Sequence, residues 1–118
     1  MKYDFNRNLP IYIQVMDEIK KKIFNGSYLF GTKIDSVRDL ALEYGVNPNT
    51  VQKALSELER EGLLYSKRSS GRFVSEDIEL IENFKKEIIV EKIKIFVKEM
   101  EELGYSKEEI IKLIEELN

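Results

Sequence analysis

The sequence predicts a mostly α-helical fold: a helix-turn-helix with a small β-hairpin wing over residues 1–75, followed by a two-helix tail over residues 76–118. Three observations predict it. Two short amphipathic patterns flank a tight turn within residues 36–62, the arrangement of a helix-turn-helix. A hairpin pattern tipped with cations follows at residues 63–74. From about Asp77 to Leu103 neither glycine nor proline interrupts apolar residues that recur at helical spacing.

A first helix is expected from Pro10 to about Asn25, with Tyr12, Val15, Ile19 and Ile23 as its inward stripe and Gly26 as its stop. Its run Lys20, Lys21 and Lys22 reads as a solvated outer surface. Tyr28, Leu29 and Phe30 lead into Gly31 as a turn whose aromatics pack under the helices. Lys33 and Ile34 suit a short strand beside the wing.

Ser36 is placed to cap the second helix, with Asp39 three positions on as in a capping box. Leu40 and Ala41 point inward, and Gly45 supplies the left-handed turn residue after Tyr44. Asn47 then caps the third helix, and Pro48 occupies its first position, where no amide hydrogen is needed. Val51, Ala54, Leu55 and Leu58 mark a core face. Asn49, Gln52, Lys53 and Ser56 make the same pattern on the opposite side, a row of amides and a lysine able to meet base edges and phosphates. Asn49 and Gln52 carry amides that donate and accept together, the pattern suited to adenine in the major groove. A merely solvated helix face is the bland alternative for this pattern.

Leu63 to Val74 reads as a strand, a turn around Ser69 to Gly71 and a return strand, with Lys67, Arg68 and Arg72 crowding the turn. Cations at a hairpin tip directly after such a helix neutralise phosphates and steer a duplex. In the tail, Ile89, Ile93, Phe96, Met100 and Leu103 step by four and three as a packing seam, and Ile81, Phe84, Ile88 and Ile95 form a rotated second stripe. Gly104 ends that helix. Ser106 with Glu109 makes a capping box for a last helix carrying Ile110, Ile111, Leu113, Ile114 and Leu117. So much apolar surface needs a cover, either the chain's own winged domain or, as preferred here, a second copy in a twofold dimer.

The 118 residues suffice for one small domain and an appendage. Net charge is −3, but residues 1–75 hold 12 Lys and Arg against 9 Asp and Glu, while residues 76–118 hold 7 against 13. The acid therefore sits in the tail, away from a basic face at the other end. With neither cysteine nor histidine, disulfide scaffolds, Cys/His zinc sites and triads that need those residues are excluded. No catalytic residue, metal or cofactor is expected. The start of the chain is too polar for a signal peptide, and the apolar runs are too short to span a bilayer, so a soluble cytoplasmic protein without membrane contact is expected.

The residues also carry a resemblance. Pro10-Ile11-Tyr12-Ile13-Gln14, Gly26, Gly31, Ser36-Val37-Arg38, Leu40-Ala41, Gly45 to Val51, Ala54-Leu55, Leu58-Glu59, Glu61-Gly62-Leu63, Gly71 and Phe73-Val74 together resemble the N-terminal winged helix of GntR-family bacterial transcription regulators, over roughly residues 9–75. The Ser-Val-Arg and Val-Asn-Pro-Asn-Thr-Val variants, with a short tail, look like the YtrA subfamily. Three departures stand out: Ile34-Asp35 replaces the usual Leu-Pro, Ser69 replaces the first wing glycine, and Pro48 replaces a common arginine.

The resemblance implies DNA contacts by position. Arg38 would touch phosphate; Asn47, Asn49, Thr50 and Gln52 would occupy the recognition turn and helix start, with Lys53 one turn deeper. Arg68, Ser69, Ser70 and Gly71 would approach the minor groove; Arg72, read from its place by the hairpin turn, is expected to act mainly on phosphates or the minor-groove edge. It also implies a helical dimerisation tail without a large ligand-binding domain, for which the expected interface is Ile81, Phe84, Ile88, Ile89, Ile93, Phe96, Met100 and Leu103. The expected function is a homodimeric, sequence-specific DNA-binding regulator, a repressor on an inverted-repeat operator in double-stranded DNA, with the existence of a small-molecule effector open. The alternative is a winged-helix protein–protein assembly module.

Overall fold

The computed structural model describes residues 3–118. Its elements run α1 (Ile11–Phe24), α2 (Val37–Tyr44), α3 (Pro48–Arg60), β1 (Leu64–Lys67), β2 (Gly71–Val74), α4 (Ile78–Glu102) and α5 (Lys107–Glu116). The chain forms two compact units that divide inside α4, between Glu82 and Asn83.

In the first unit, α1 and α2 both pack on α3, and α3 leads directly into the hairpin. The predicted inward stripe of α1 is buried at Val15, Ile19 and Ile23, with Met16 added, while Tyr12 is half-buried. Leu40, Ala41 and Tyr44 from α2 meet Val51, Ala54, Leu55 and Leu58 from α3, and Leu63, Leu64 and Val74 close the core from the hairpin side. Of the capping box expected at the start of α2, the half made by the Ser36 side chain is present, without the return bond to the Asp39 carboxylate. The Ser36 hydroxyl accepts from the Asp39 amide at 3.1 Å. Gly45 takes the left-handed conformation (φ 66°, ψ 40°) that ends α2 without steric cost. β1 and β2 pair antiparallel, with Leu64 opposite Val74 and Lys67 opposite Gly71.

Thr32 to Ile34 lies along the free edge of β2. The Ile34 amide donates to the Arg72 carbonyl at 3.0 Å and the Val74 amide to the Thr32 carbonyl at 2.9 Å, so the predicted short strand beside the wing is present as a bridge between Lys33 and Phe73. The preceding turn departs from expectation. Tyr28 is half-buried, but Phe30 is 39% exposed rather than packed under the helices, and Leu29 beside it is 65% exposed. The Gly31 amide is committed to the Val74 carbonyl at 2.9 Å, which ties the turn to the hairpin edge and leaves those two side chains facing solvent.

The lysine run of α1 is also more structural than its sequence suggests. Lys20 reaches Glu61 at 3.3 Å and Lys22 reaches Glu43 at 2.7 Å, both half-buried; Lys21 is exposed and pairs with Glu18 at 3.0 Å. Burial opposes the charge on Lys22, but the Glu43 carboxylate and the Tyr44 phenol outweigh it and hold the ammonium above its usual range.

Ser75 and Asp77 start α4. The Ser75 hydroxyl accepts from the Asp77 amide at 3.0 Å, and the Asp77 carboxylate accepts from the Leu80 amide at 3.1 Å, an N-terminal cap. The first turn of α4 belongs to the first unit: Ile81 is 1% exposed, and Leu80 comes within 3.1 Å of where a Cβ on Gly62 would sit. The boundary expected after residue 75 therefore marks the end of the wing, and the compact unit continues for one more helical turn.

The second unit holds the rest of α4, and α5, which opens on the predicted capping box: the Glu109 amide donates to the Ser106 hydroxyl at 3.2 Å and the Ser106 amide to the Glu109 carboxylate at 3.0 Å. Ile110 is its buried residue, while Ile89, Ile93, Phe96, Leu103, Ile111, Leu113, Ile114 and Leu117 are exposed.

Candidate nucleic-acid interface

The interface is built on α3. The Asn47 carboxamide accepts from the Asn49 amide at 2.7 Å, and Pro48 follows at the first helical position. With Val51, Ala54, Leu55 and Leu58 buried, the helical period places Asn49, Gln52, Lys53 and Ser56 on the exposed side. Thr50 is half-buried and donates its backbone amide to the Asn47 carbonyl at 2.9 Å. The Lys53 ammonium lies 4.2 Å from the centre of the Tyr12 ring, which orients it alongside α1. Arg38 is exposed on the first turn of α2 and has no ion-pair partner among the described residues.

The hairpin follows α3, and its tip is the turn between Lys67 and Gly71. The Ser70 amide donates to the Lys67 carbonyl at 3.0 Å, and Ser69 adopts φ 64°, a backbone region that glycine enters freely and serine does not. The turn thus keeps its shape without the usual glycine, at the cost of strain at Ser69. Arg68, Ser69, Ser70 and Gly71 are all exposed. The Lys67 ammonium lies 4.5 Å from the Phe73 ring, which itself stacks on Tyr65 at 5.7 Å. Lys33 lies across the tip, with its Cε only 2.9 Å from the position a Cβ on Gly71 would take. Lys33 is the wing cation that the sequence reading missed. Its signal was there, because a strand paired with β2 must carry its side chains to the wing.

Arg72 departs from the role expected of it. It is half-buried, its Nε donates to Glu59 Oε1, and its Nη1 donates to Gln52 Oε1 at 3.5 Å. The same Glu59 oxygen accepts from the Ser66 hydroxyl at 2.9 Å, and Ser66 faces Arg72 across the hairpin. Burial pushes the Glu59 carboxyl up, but the Arg72 and Ser66 hydrogen bonds outweigh that and leave it below the usual carboxylate range.

The segment before α1 adds a feature that helical periodicity does not reveal. Tyr3 meets the Tyr44 ring edge-on at 4.7 Å and stacks on Phe5 at 5.9 Å, and the Gln14 amide group holds the Asn6 carbonyl at 2.7 Å. Tyr3, Phe5, Arg7, Tyr44, Asn47 and Thr50 line a cleft of about 430 Å³ beside the start of α3.

An exposed amide-rich helix flanked by a cation-tipped hairpin is the geometry that the comparisons with known proteins also reach. Residues 11–74 match the model of the bacterial regulatory proteins of the gntR family. The chain belongs to the GntR family. It is 35% identical to the HTH-type transcriptional repressor YtrA of Bacillus subtilis over 117 residues, 98% of this chain and 89% of that protein, so the likeness runs through the tail as well. The structure superposes on a GntR family transcriptional regulator from Listeria monocytogenes with a TM-score of 0.90 at 37% identity, covering 97% of this chain and 100% of that one. The DNA-binding domain of AraR in complex with operator ORR3 matches 62% of this chain and 86% of its own length, with a TM-score of 0.55 and 38% identity. This GntR chain is a winged-helix DNA-binding transcription regulator.

Among the described residues no helix is long and apolar enough to cross a membrane, and no group of three His, Cys, Asp or Glu is placed to hold a metal ion. In the tail, the stripes expected to form an interface divide. Ile89, Ile93, Phe96 and Leu103 are exposed, and Phe84, Ile88 and Met100 are half-buried. Ile81 is spent on the core of the first unit, since it falls on the turn of α4 that packs there. Within the second unit, Phe96, Met100, Tyr105, Ile110, Leu113 and Ile114 line a groove of about 420 Å³ between α4 and α5.

Proposed function

We propose that this chain is a cytoplasmic repressor, without enzymatic activity, that binds an inverted-repeat operator as a homodimer. The observation that carries the reading is the joint exposure of Asn49, Gln52 and Lys53 on α3 beside a hairpin tip bearing Lys33, Lys67 and Arg68. Asn49 and Gln52 read base edges in the major groove, with Asn47 and Thr50 at the helix start. Arg38, Arg68 and Lys33 hold phosphates, and Ser69, Ser70 and Gly71 bring the wing backbone to the flanking minor groove. Residues up to Glu82 form the DNA-binding domain, and residues 83–118 form the dimerisation tail.

The exposed stripe of Ile89, Ile93, Phe96 and Leu103, with Phe84, Ile88 and Met100 beside it, is covered by the same surface of a second copy. A twofold axis through paired tails makes the two α3 helices symmetry-related, which calls for half-sites set by the helical turn of DNA. An effector, where one acts, has the groove between α4 and α5 as its place.

Selection of bound fragments from random DNA by the full chain tests the reading. The expected product is an inverted repeat, retained in a salt-dependent manner. Asn49→Ala should then relax preference at particular base pairs at a cost of roughly 1–3 kcal/mol, whereas Arg38→Ala and Arg68→Ala should weaken all sequences alike and reduce the salt slope by about one each. Enrichment of no sequence, or of a sequence without twofold symmetry, would overturn the reading.

A further inference from the structure

We infer that Arg72 is a positioning residue that ties the wing to the recognition helix and sets the orientation in which the Gln52 amide meets DNA. The inference rests on the base-reading role proposed for Gln52. Arg72 sits on β2 opposite Ser66, and both converge on one oxygen of Glu59, seven residues along α3 from Gln52. Seven residues are about two helical turns, so Gln52 and Glu59 share one face, and the guanidinium spans them. The planar fork of arginine can hold both at once, with Nε on the carboxylate and Nη1 on the carboxamide.

The consequence for recognition is chemical. A guanidinium has donors only, so the carboxamide atom facing it must be the oxygen. The Gln52 oxygen lies 3.5 Å from Arg72 Nη1, which sets the amide NH₂ on the side away from that nitrogen. An NH₂ reads acceptors: N7 and O6 of guanine, or O4 of thymine. A carboxamide oxygen has two lone pairs, so Gln52 can keep Arg72 on one, accept from the N6 amino group of adenine on the other, and donate its NH₂ to N7. Arg72 thus sets the orientation of the Gln52 amide, with the oxygen toward the wing, while its own charge is paired with Glu59.

The test uses the full chain and the fragment that it selects from random DNA, with single-base variants of that fragment over a salt series. Gln52→Ala locates the base pair that Gln52 reads. Arg72→Ala and Arg72→Lys are both expected to lose about tenfold or more of the discrimination at that same pair, with the salt slope unchanged. Little further loss is expected in the double variant with Gln52→Ala. Glu59→Gln keeps the charge of Arg72 but weakens its anchor, and should show part of the same loss. That variant carries the test if the arginine variants fail to fold.

Two results would overturn the positioning role alone: Arg72→Lys behaving as wild type while Arg72→Ala weakens every fragment and lowers the salt slope by about one; or losses in Arg72→Ala and Gln52→Ala that simply add. A wild-type chain that selects no fragment would instead overturn base reading by Gln52, and the positioning role with it.

Discussion

Asn47 sits where folding and recognition meet, and two substitutions there separate them. Its carboxamide oxygen accepts from the Asn49 amide at 2.7 Å and so satisfies one of the orphan donors at the start of α3. Asn47→Ala removes that acceptor and should cost about 1 kcal/mol, within a range of roughly 0.5–2. For a compact unit of this size that is a fall in Tm of about 4–8 °C per kcal/mol. Asn47→Asp keeps the acceptor and adds a negative charge at the positive end of the helix, a gain of about 0.3–1 kcal/mol. Its Tm should equal or exceed that of wild type.

DNA binding should move the other way. A carboxylate facing a phosphate at about 4 Å costs between about 1 and 4 kcal/mol, depending on how much water remains between them, or roughly fivefold to a thousandfold in affinity. Asn47→Asp should therefore be the more stable and the weaker-binding of the two variants. Thermal melts and titrations of the selected fragment at one salt concentration read both effects. A Tm for Asn47→Ala within about 1 °C of wild type would refute the cap argument. An Asn47→Asp chain that binds the fragment as wild type does would refute the placement of the α3 start against the DNA.

The strained wing turn predicts that Ser69→Gly, which relieves φ 64°, raises stability by roughly 0.5–1 kcal/mol once the extra freedom of glycine in the unfolded chain is set against the relief; an unchanged or lower midpoint in urea would contradict it. The depressed Glu59 carboxyl makes its brace to Arg72 pH-dependent: its contribution is present above the ordinary glutamate value and is lost as pH falls through the lower folded value. The Tm difference between wild type and Glu59→Gln should accordingly be largest near neutrality and close in that acid window; a gap that stays constant down to pH 3 would count against the brace. In the tail, Ile93→Asp with Phe96→Glu places unpaired charges at the proposed seam and should convert a micromolar dimer to monomer in sedimentation, since each costs several kcal/mol and occurs twice per dimer; a wild-type monomer at that concentration would sink the tail assignment. Gly62→Ala should destabilise the first unit by about 1 kcal/mol or more, because φ is +86° there and Leu80 stands 3.1 Å from the new Cβ; calorimetry decides it.

Local rules written into neighbouring residues were legible in the sequence. Ser36, Gly45, Asn47, Pro48 and the Ser106–Glu109 pair act over three or four positions of chain, so the helices they bound could be placed without knowing what those helices touch. The buried stripe of α3 fixed its exposed face in the same way, because a helix has one period and one core side. What only the tertiary structure decided is which long, flexible or charged side chains turn inward. Lys20 and Lys22 leave the solvated run for Glu61 and Glu43 because α1 packs beside residues that are distant in sequence. Ile81 leaves the tail stripe for the core because α4 starts against the first unit. Arg72 looks like one more wing cation until β2 folds it onto Glu59 and Gln52, 13 and 20 residues away. Periodicity reports which face of an element is apolar; which partner a cation finds depends on what the fold brings within about 4 Å of it, and that is set by packing between elements.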